Sequence, residues 1–470
     1  MALRGGEGRR IVLAMGSTPR RRQADAHGRI TGGRAVSNVS QRREPTHGGD
    51  ILTLGFATTV AMWAVGYFGR LPGVQAPVWV LMPLMFGLLI HGGRLAGRWT
   101  GRGWRGGLWV GLLASTLNLL VLGSLLAAGD APNRVVPSAL LWVPGSLLMG
   151  AFFSAMGAVE NGRRTAKPPF AWPAAFAFVA AGATLLLLAA GGVVTGQQAG
   201  LAVVDWPNSF GSNMFLYPLS RMTGGVFYEH AHRLLGSLVG LTTLVLAVFL
   251  WRTDERRGVK LLAGAALLLV IVQGVLGGLR VTGRFTGSMD PAHTAPNLTL
   301  AIVHGVTGQV FLGVLIALAA MSTRGWRAAR PKIFADARTD ALLSRAVVIV
   351  VIVQLVLGAI LRHMSHGLLL HITMAVAVAV VGLLAGLRAW GEHPDVPRLQ
   401  SLGRALMILM GLQICLGLAA LWATGLTAAA GTPAVADVIL TTLHQSTGAV
   451  ILACSVLLAL WNSRLLRAAA

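Results

Sequence analysis

The sequence predicts an all-α integral membrane protein of about twelve transmembrane helices. Three observations carry this: its composition, the spacing of its apolar runs, and a histidine-bearing repeat in the last two-thirds of the chain. Of 470 residues, 54% are hydrophobic and 12% charged, with a mean hydropathy of +0.68, more apolar than a soluble core of this length requires. The net charge is +23, yet ten of the 39 basic residues fall in the first 50 positions. Most of the others lie between apolar runs, which is a membrane-topology pattern and excludes a nucleic-acid surface. Cys415 and Cys454, the two cysteines, sit inside apolar runs, so neither a disulfide framework nor a thiolate zinc site is indicated.

Residues 1–50 are rich in Arg, Gly and Ser and lack the continuous apolar stretch of a signal peptide. They read as a basic cytoplasmic tail. A mitochondrial transit peptide is the rival, weakened by Glu7, Asp25, Glu44 and Asp50. Spans of about 20 residues follow at 51–69, 76–93, 107–128, 136–157, 171–193, 228–251, 259–280, 300–321, 343–362, 367–389, 402–424 and 438–461. All should be helical, because a span in lipid must satisfy its own backbone. Alternate connections are basic, with Arg94 to Arg105, Arg163 to Lys167, Arg252 to Lys260, Arg324 to Arg338 and Arg388 to Arg404. Those between are poor in charge, so both termini are expected in the cytoplasm of a bacterial cell with the protein in its inner membrane, the mitochondrial inner membrane being the alternative. The spans divide into a four-helix module of unassigned role at 51–160 and an eight-helix domain at 171–461. Ser115, Thr116 and Asn118 in the module read as helix–helix glue.

The eight-helix domain is internally repeated. VIVQGVLGGLRVTG from Val270 and LAIVHGVTGQVFLG from Leu300 return as LMGLQICLGLAALWATG from Leu409 and LTTLHQSTGAVILA from Leu440, with 31 residues from Gln273 to His304 and 31 from Gln413 to His444. A contracted copy runs from Val351 through His371, and a diverged one from Gly191 through YEHAHR at Tyr228. Four helix pairs thus group into halves 171–321 and 343–461, expected to form a pseudo-twofold pair of four-helix bundles.

Each second helix carries one histidine four to six residues from its outer end: His232, His304, His371 and His444. An ionisable residue inside a span is costly, and four at matching positions are hard to explain as packing. Zinc would want three or four convergent ligands with a carboxylate behind them. Haem iron takes one or two axial imidazoles from facing helices, so two histidines per half suit one bis-imidazole haem in each. Gly305, Gly308, Gly313 and Gly448 could leave room for a flat macrocycle, or serve as ordinary helix contacts.

Glu229 breaks the symmetry, lying one turn before His232, where the other copies have Ala301, Leu368 and Thr441. A carboxylate beside one of two similar cavities suggests proton or cation chemistry there; the competing reading is a border Glu paired with Arg233 or Arg221. Arg233, Arg280 and Arg362 could clamp porphyrin propionates or simply snorkel at helix ends. His230, His293, His363 and His366 read as solvated.

Together, GLAVVDWP at Gly200, YEHAHR at Tyr228, QGVLGGLRVTG at Gln273, HGVTGQVFLG at His304, QLVLGAILRH at Gln354 and LHQSTGAV at Leu443 resemble the haem A synthase family, over about 171–461. The resemblance implies oxidation of the methyl group of haem O to the formyl group of haem A for assembly of cytochrome oxidases. It implies His371 and His444 as axial ligands of a resident haem b, His232 and His304 as ligands of the substrate haem, and Glu229 as the catalytic carboxylate. Implied partners are an electron donor, haem O synthase, cytochrome oxidase and the lipid bilayer. Many bacterial members have paired cysteines in outer loops; this chain has none there and resembles the cysteine-free type.

A dihaem b-type electron-transfer cytochrome is the main rival, but it needs haems at different depths, whereas these histidines share one level. A secondary transporter expects broken helices and a midplane site. A haem farnesyltransferase needs paired aspartate-rich motifs, and only Asp336 and Asp340 offer such a spacing.

Overall fold

A computed structural model describes residues 48–127, 133–160, 166–282, 297–430 and 434–468. The basic tail up to residue 47, Arg163, Arg164 and His293 lie outside the described residues. The N-terminal module comprises α1 (Gly49–Gly69), α2 (Val78–Trp99), α3 (Trp104–Val121) and α4 (Ala139–Glu160). Its α2, α3 and α4 meet backbone to backbone: Gly93 abuts the Ser154 carbonyl and Gly111 that of Gly150, with no room for a Cβ at either. Hydroxyls of Thr53, Thr58 and Thr59 in α1 donate to carbonyls four residues back, which satisfies them without water. Ser115 packs on Gly150 and Asn118 accepts from Trp63 Nε1 at 3.1 Å, as helix–helix glue should. Thr116 instead is exposed and bonds to its own helix.

The first half of the repeat comprises α5 (Trp172–Gly196), α6 (Gly224–Thr253), α7 (Arg257–Val281) and α8 (Leu298–Ser322). Proline in the first turn starts α5. Asn297 caps α8 by accepting the Leu300 N–H at 2.9 Å. Each helix packs on the next and α5 on α8, closing a ring of four. After the short α9 (Arg324–Ala328) and β3 (Lys332–Ile333), the second half comprises α10 (Ala337–Met364), α11 (Leu368–Gly391), α12 (Pro397–Ala430) and α13 (Val435–Leu465). These close a second ring in the same order. The two rings meet through α5 and α8 on α13 and through α8 on α10, the exchange expected when α5 and α8 correspond to α10 and α13. The contracted turn between α10 and α11 works because Ser365 and Gly367 adopt left-handed φ of 55° and 87°.

Twelve long helices thus occur among the described residues, and eleven are long and apolar enough to cross a membrane. The other is α3, whose 18 residues are diluted by Gly, Ser, Thr and Asn. The main apolar cores lie towards one end of the rings, at Leu246, Leu250, Leu315 and Leu318 in the first and Leu399, Leu406 and Leu458 in the second, all fully buried. The histidines occupy the other end. There α6 and α13 begin earlier than the apolar runs suggest, at Gly224 and Val435, so His232 and His444 lie about two turns inside their helices.

Candidate functional site

Four second helices, α6, α8, α11 and α13, bring the histidines together as two pairs. The His232 and His304 ring centroids are 6.5 Å apart at an interplanar angle of 81°. Those of His371 and His444 are 6.3 Å apart at 74°. An iron bound by two imidazole nitrogens at about 2 Å each would put the ring centres about 6.2 Å apart, so each pair has the separation one haem iron requires. His232, His304 and His444 each reach the backbone of the facing helix, at Leu187, Gln273 and Gln413 respectively. Among the described residues no three His, Cys, Asp or Glu side chains converge, which fits two-ligand haem sites and not zinc. The ring separations therefore fit one iron held by two imidazoles in each half.

The halves differ in what surrounds their pairs. In the second, the amides of Gln354 and Gln413 lie 3.4 Å from Nε2 of His371 and His444. In the first, Gln273 turns to the Thr307 hydroxyl, and the corresponding position in α5 is Leu187. Glu229 is 5% exposed. Its Oε1 accepts from Arg233 at 2.8 Å, and its Oε2 meets only the Val203 N–H, at 3.4 Å, among described hydrogen bonds.

Arg233 also donates to the carbonyls of Val203 at 2.5 Å, Asp205 at 2.6 Å and Asn208 at 3.1 Å. It thereby straps the segment between α5 and α6 onto α6. That segment contains a hairpin of β1 (Asn208–Ser209) and β2 (Ser212–Asn213), whose turn is held by Asp205 accepting from the N–H groups of Phe210 and Gly211 at 2.8 Å each. With its donors directed at its own loop, Arg233 is less available to a propionate than its place after His232 suggests. Arg280 is the better placed of the candidates. It packs on Gly200 of the same segment, its Nε is buried without a partner, and it interacts electrostatically with Glu229, His232 and His304. Arg362 in the second half interacts with Asp437.

Several expectations are corrected. His230 is fully buried, not solvated: Ser209 Oγ lies 3.0 Å from its Nδ1 and Tyr217 packs on it at 5.1 Å, because the folded hairpin covers that face of α6. Burial correspondingly raises the Tyr217 hydroxyl above its ordinary pKa. His363 is half-buried and within electrostatic range of Arg280 and Arg362, whereas His366 is exposed as expected. Of the glycines after the histidines, Gly305 faces open space. Gly308, Gly313 and Gly448 have Leu188, Val456 and Leu355 against them, so these three are helix contacts. Nothing in the local sequence signals the burial of His230, which depends on a hairpin about 20 residues away.

Residues 174–372 match the family model COX15-CtaA, described as cytochrome oxidase assembly protein. The match takes in Glu229, His232, His304 and His371. The chain is 37% identical over 108 residues to "Heme A synthase" of Lysinibacillus sphaericus, covering 23% of this chain and 34% of that protein. It is 30% identical over 187 residues to "Heme A synthase" of Methylobacterium radiotolerans, covering 37% and 48%. Over 95 residues it is 33% identical to "Heme A synthase" of Alkalihalophilus pseudofirmus, covering 20% and 31%. The chain thus spans between about a third and a half of the curated relatives it matches. No solved structure matches.

Proposed function

We propose that this membrane protein is a haem A synthase, oxidising the methyl group of haem O to the formyl group of haem A. The observation that carries the reading is the pair of imidazole separations, 6.5 and 6.3 Å, one in each half. His371 and His444, flanked by the amides of Gln354 and Gln413, would hold a resident haem b. His232 and His304 hold the substrate haem. That haem, when bound, would supply one-electron redox chemistry.

The rest is the work of this chain. Arg233 fixes one oxygen of Glu229, leaving Oε2 as the atom that accepts a proton from, or stabilises positive charge near, the substrate methyl. The strapped segment 197–223 covers this side of the first half and limits water. Arg280, with its unpartnered Nε, is the propionate contact favoured by the geometry, and Arg362 is its counterpart in the second half. The histidine end faces away from the cytoplasm, since the basic connections lie at the other end, and the protein resides in the bacterial inner membrane with both termini inside. Its partners are haem O, a terminal oxidant together with an electron donor, and the haem O synthase and cytochrome oxidase on either side of the reaction.

The test is haem retention. Replacing His371 or His444 by Ala should strip haem b from the purified protein, read as haem per chain and loss of the low-spin spectrum. Full haem b with an unchanged spectrum in both variants would overturn the assignment.

A further inference from the structure

On the helix facing each histidine stands a glycine that the imidazole approaches edge-on. A Cβ built on Gly191 would lie 3.1 Å from Cε1 of His232. On Gly358 it would lie 3.0 Å from Cε1 of His371, and on Gly417 3.0 Å from Cε1 of His444. At Gly277 the distance to Cε1 of His304 is 3.5 Å. In all four places Cε1 comes nearest, and Nε2 is never nearer than Nδ1. The rings therefore present the same Cε1 edge to the glycine of the opposite helix, with Nδ1 at least as near to it as Nε2. Three of the glycines, Gly277, Gly358 and Gly417, follow a glutamine by four residues, at Gln273, Gln354 and Gln413; in the diverged first copy Leu187 takes that place.

We propose that Gly191, Gly358 and Gly417 are positioning residues, each the floor of a seat that fixes the depth and plane of its histidine so that Nε2 meets iron. The proposal rests on the reading of these histidines as haem ligands. Its physical basis is contact distance. Carbon atoms pack best at about 3.5–4.0 Å, so a methyl at 3.0–3.1 Å would push the ring away by several tenths of an ångström. The ring's displacement would also change its separation from the partner imidazole, now 6.5 Å in the first half and 6.3 Å in the second. At Gly277 a methyl would make an ordinary contact, so that position serves as an internal comparison. Glycines that merely allowed helices to approach would not track the imidazole edge in four separate helix pairs. Nor would their replacement discriminate 3.0 Å from 3.5 Å.

The experiment uses full-length protein purified in detergent, with haem per chain and the electron paramagnetic resonance signal of the oxidised low-spin haem as readouts. Gly417→Ala is compared with Gly411→Ala in the same helix, where a Cβ would meet nothing within 4 Å. Gly191→Ala is compared with Gly277→Ala, the haem b of the untouched second half reporting that the protein has folded. G417A should weaken haem b retention roughly tenfold or more, as loss of a ligand-orienting contact does, or shift the low-spin g values, while G411A matches wild type. G191A should keep haem b but lose binding of added haem O, and G277A should keep both. Wild-type haem content and spectra in G417A, together with wild-type binding of added haem O in G191A, would overturn the proposal. So would equal losses of haem or of folded protein within each pair, which would mark these glycines as packing residues only. A wild-type protein that carries no haem would instead remove the functional reading beneath it.

Discussion

At the scale of the residue, Glu229 has two employments. It is half of a buried ion pair with Arg233, at 2.8 Å, and it is the acidic side chain that distinguishes the first imidazole pair from the second. Deleting one partner of such a pair costs about 3–5 kcal/mol, so Glu229→Ala would confound folding with chemistry. Glu229→Gln keeps the shape and an oxygen that can accept from Arg233, while Arg233 retains its three carbonyl acceptors. E229Q should therefore insert, keep the haem b spectrum, and accumulate haem O or a partly oxidised product in place of haem A. Haem A formation at the wild-type rate in this variant would return Glu229 to a purely structural role. The sequence made this residue visible because repeats expose an exception. It could not reveal that Arg233 is consumed by three carbonyls of the strap, since those partners lie 25–30 residues away in a segment with no periodicity to read.

At the scale of the element, the unit is a helix hairpin whose second helix carries the histidine. Its glutamine-to-histidine spacing and apolar period were legible directly, and the helices follow the apolar runs closely. The starts of α6 and α13 were not, because their first turns contain polar and small residues that hydropathy does not count as membrane. Orientation belongs to this scale. Basic residues avoid the connections at 281–299 and 425–437, with Arg284 and Asp437 among the few charges there, so these should face the periplasm. In a protein with Cys415 and Cys454 replaced by Ser, Ser288→Cys and Thr432→Cys should react with an impermeant maleimide in intact cells. Reaction only after permeabilisation would invert the topology.

At the scale of the whole molecule, two rings of four helices stand side by side, each with an apolar core towards one end and an imidazole pair towards the other. The N-terminal module packs on the first ring, through α1 against α5 and α6 and α3 against α6. Trp63, Tyr67 and Val121 share a core with Phe227, Leu234 and Leu235 of α6, so the module buttresses the helix that carries Glu229 and His232. Composition announced the module's helices but not its docking side, which depends on side chains that look alike to hydropathy. The asymmetry of the whole, one ring buttressed and strapped and the other flanked by glutamine amides, matches a division between a reacting haem and a resident one. The direct test is to express the full chain in cells that make haem O but lack their own haem A synthase, with and without the haem O supply, and to identify the extracted haems by chromatography and mass. Haem A formed only when haem O is supplied is the predicted result; haem b alone in both conditions, with haem O untouched, would contradict it.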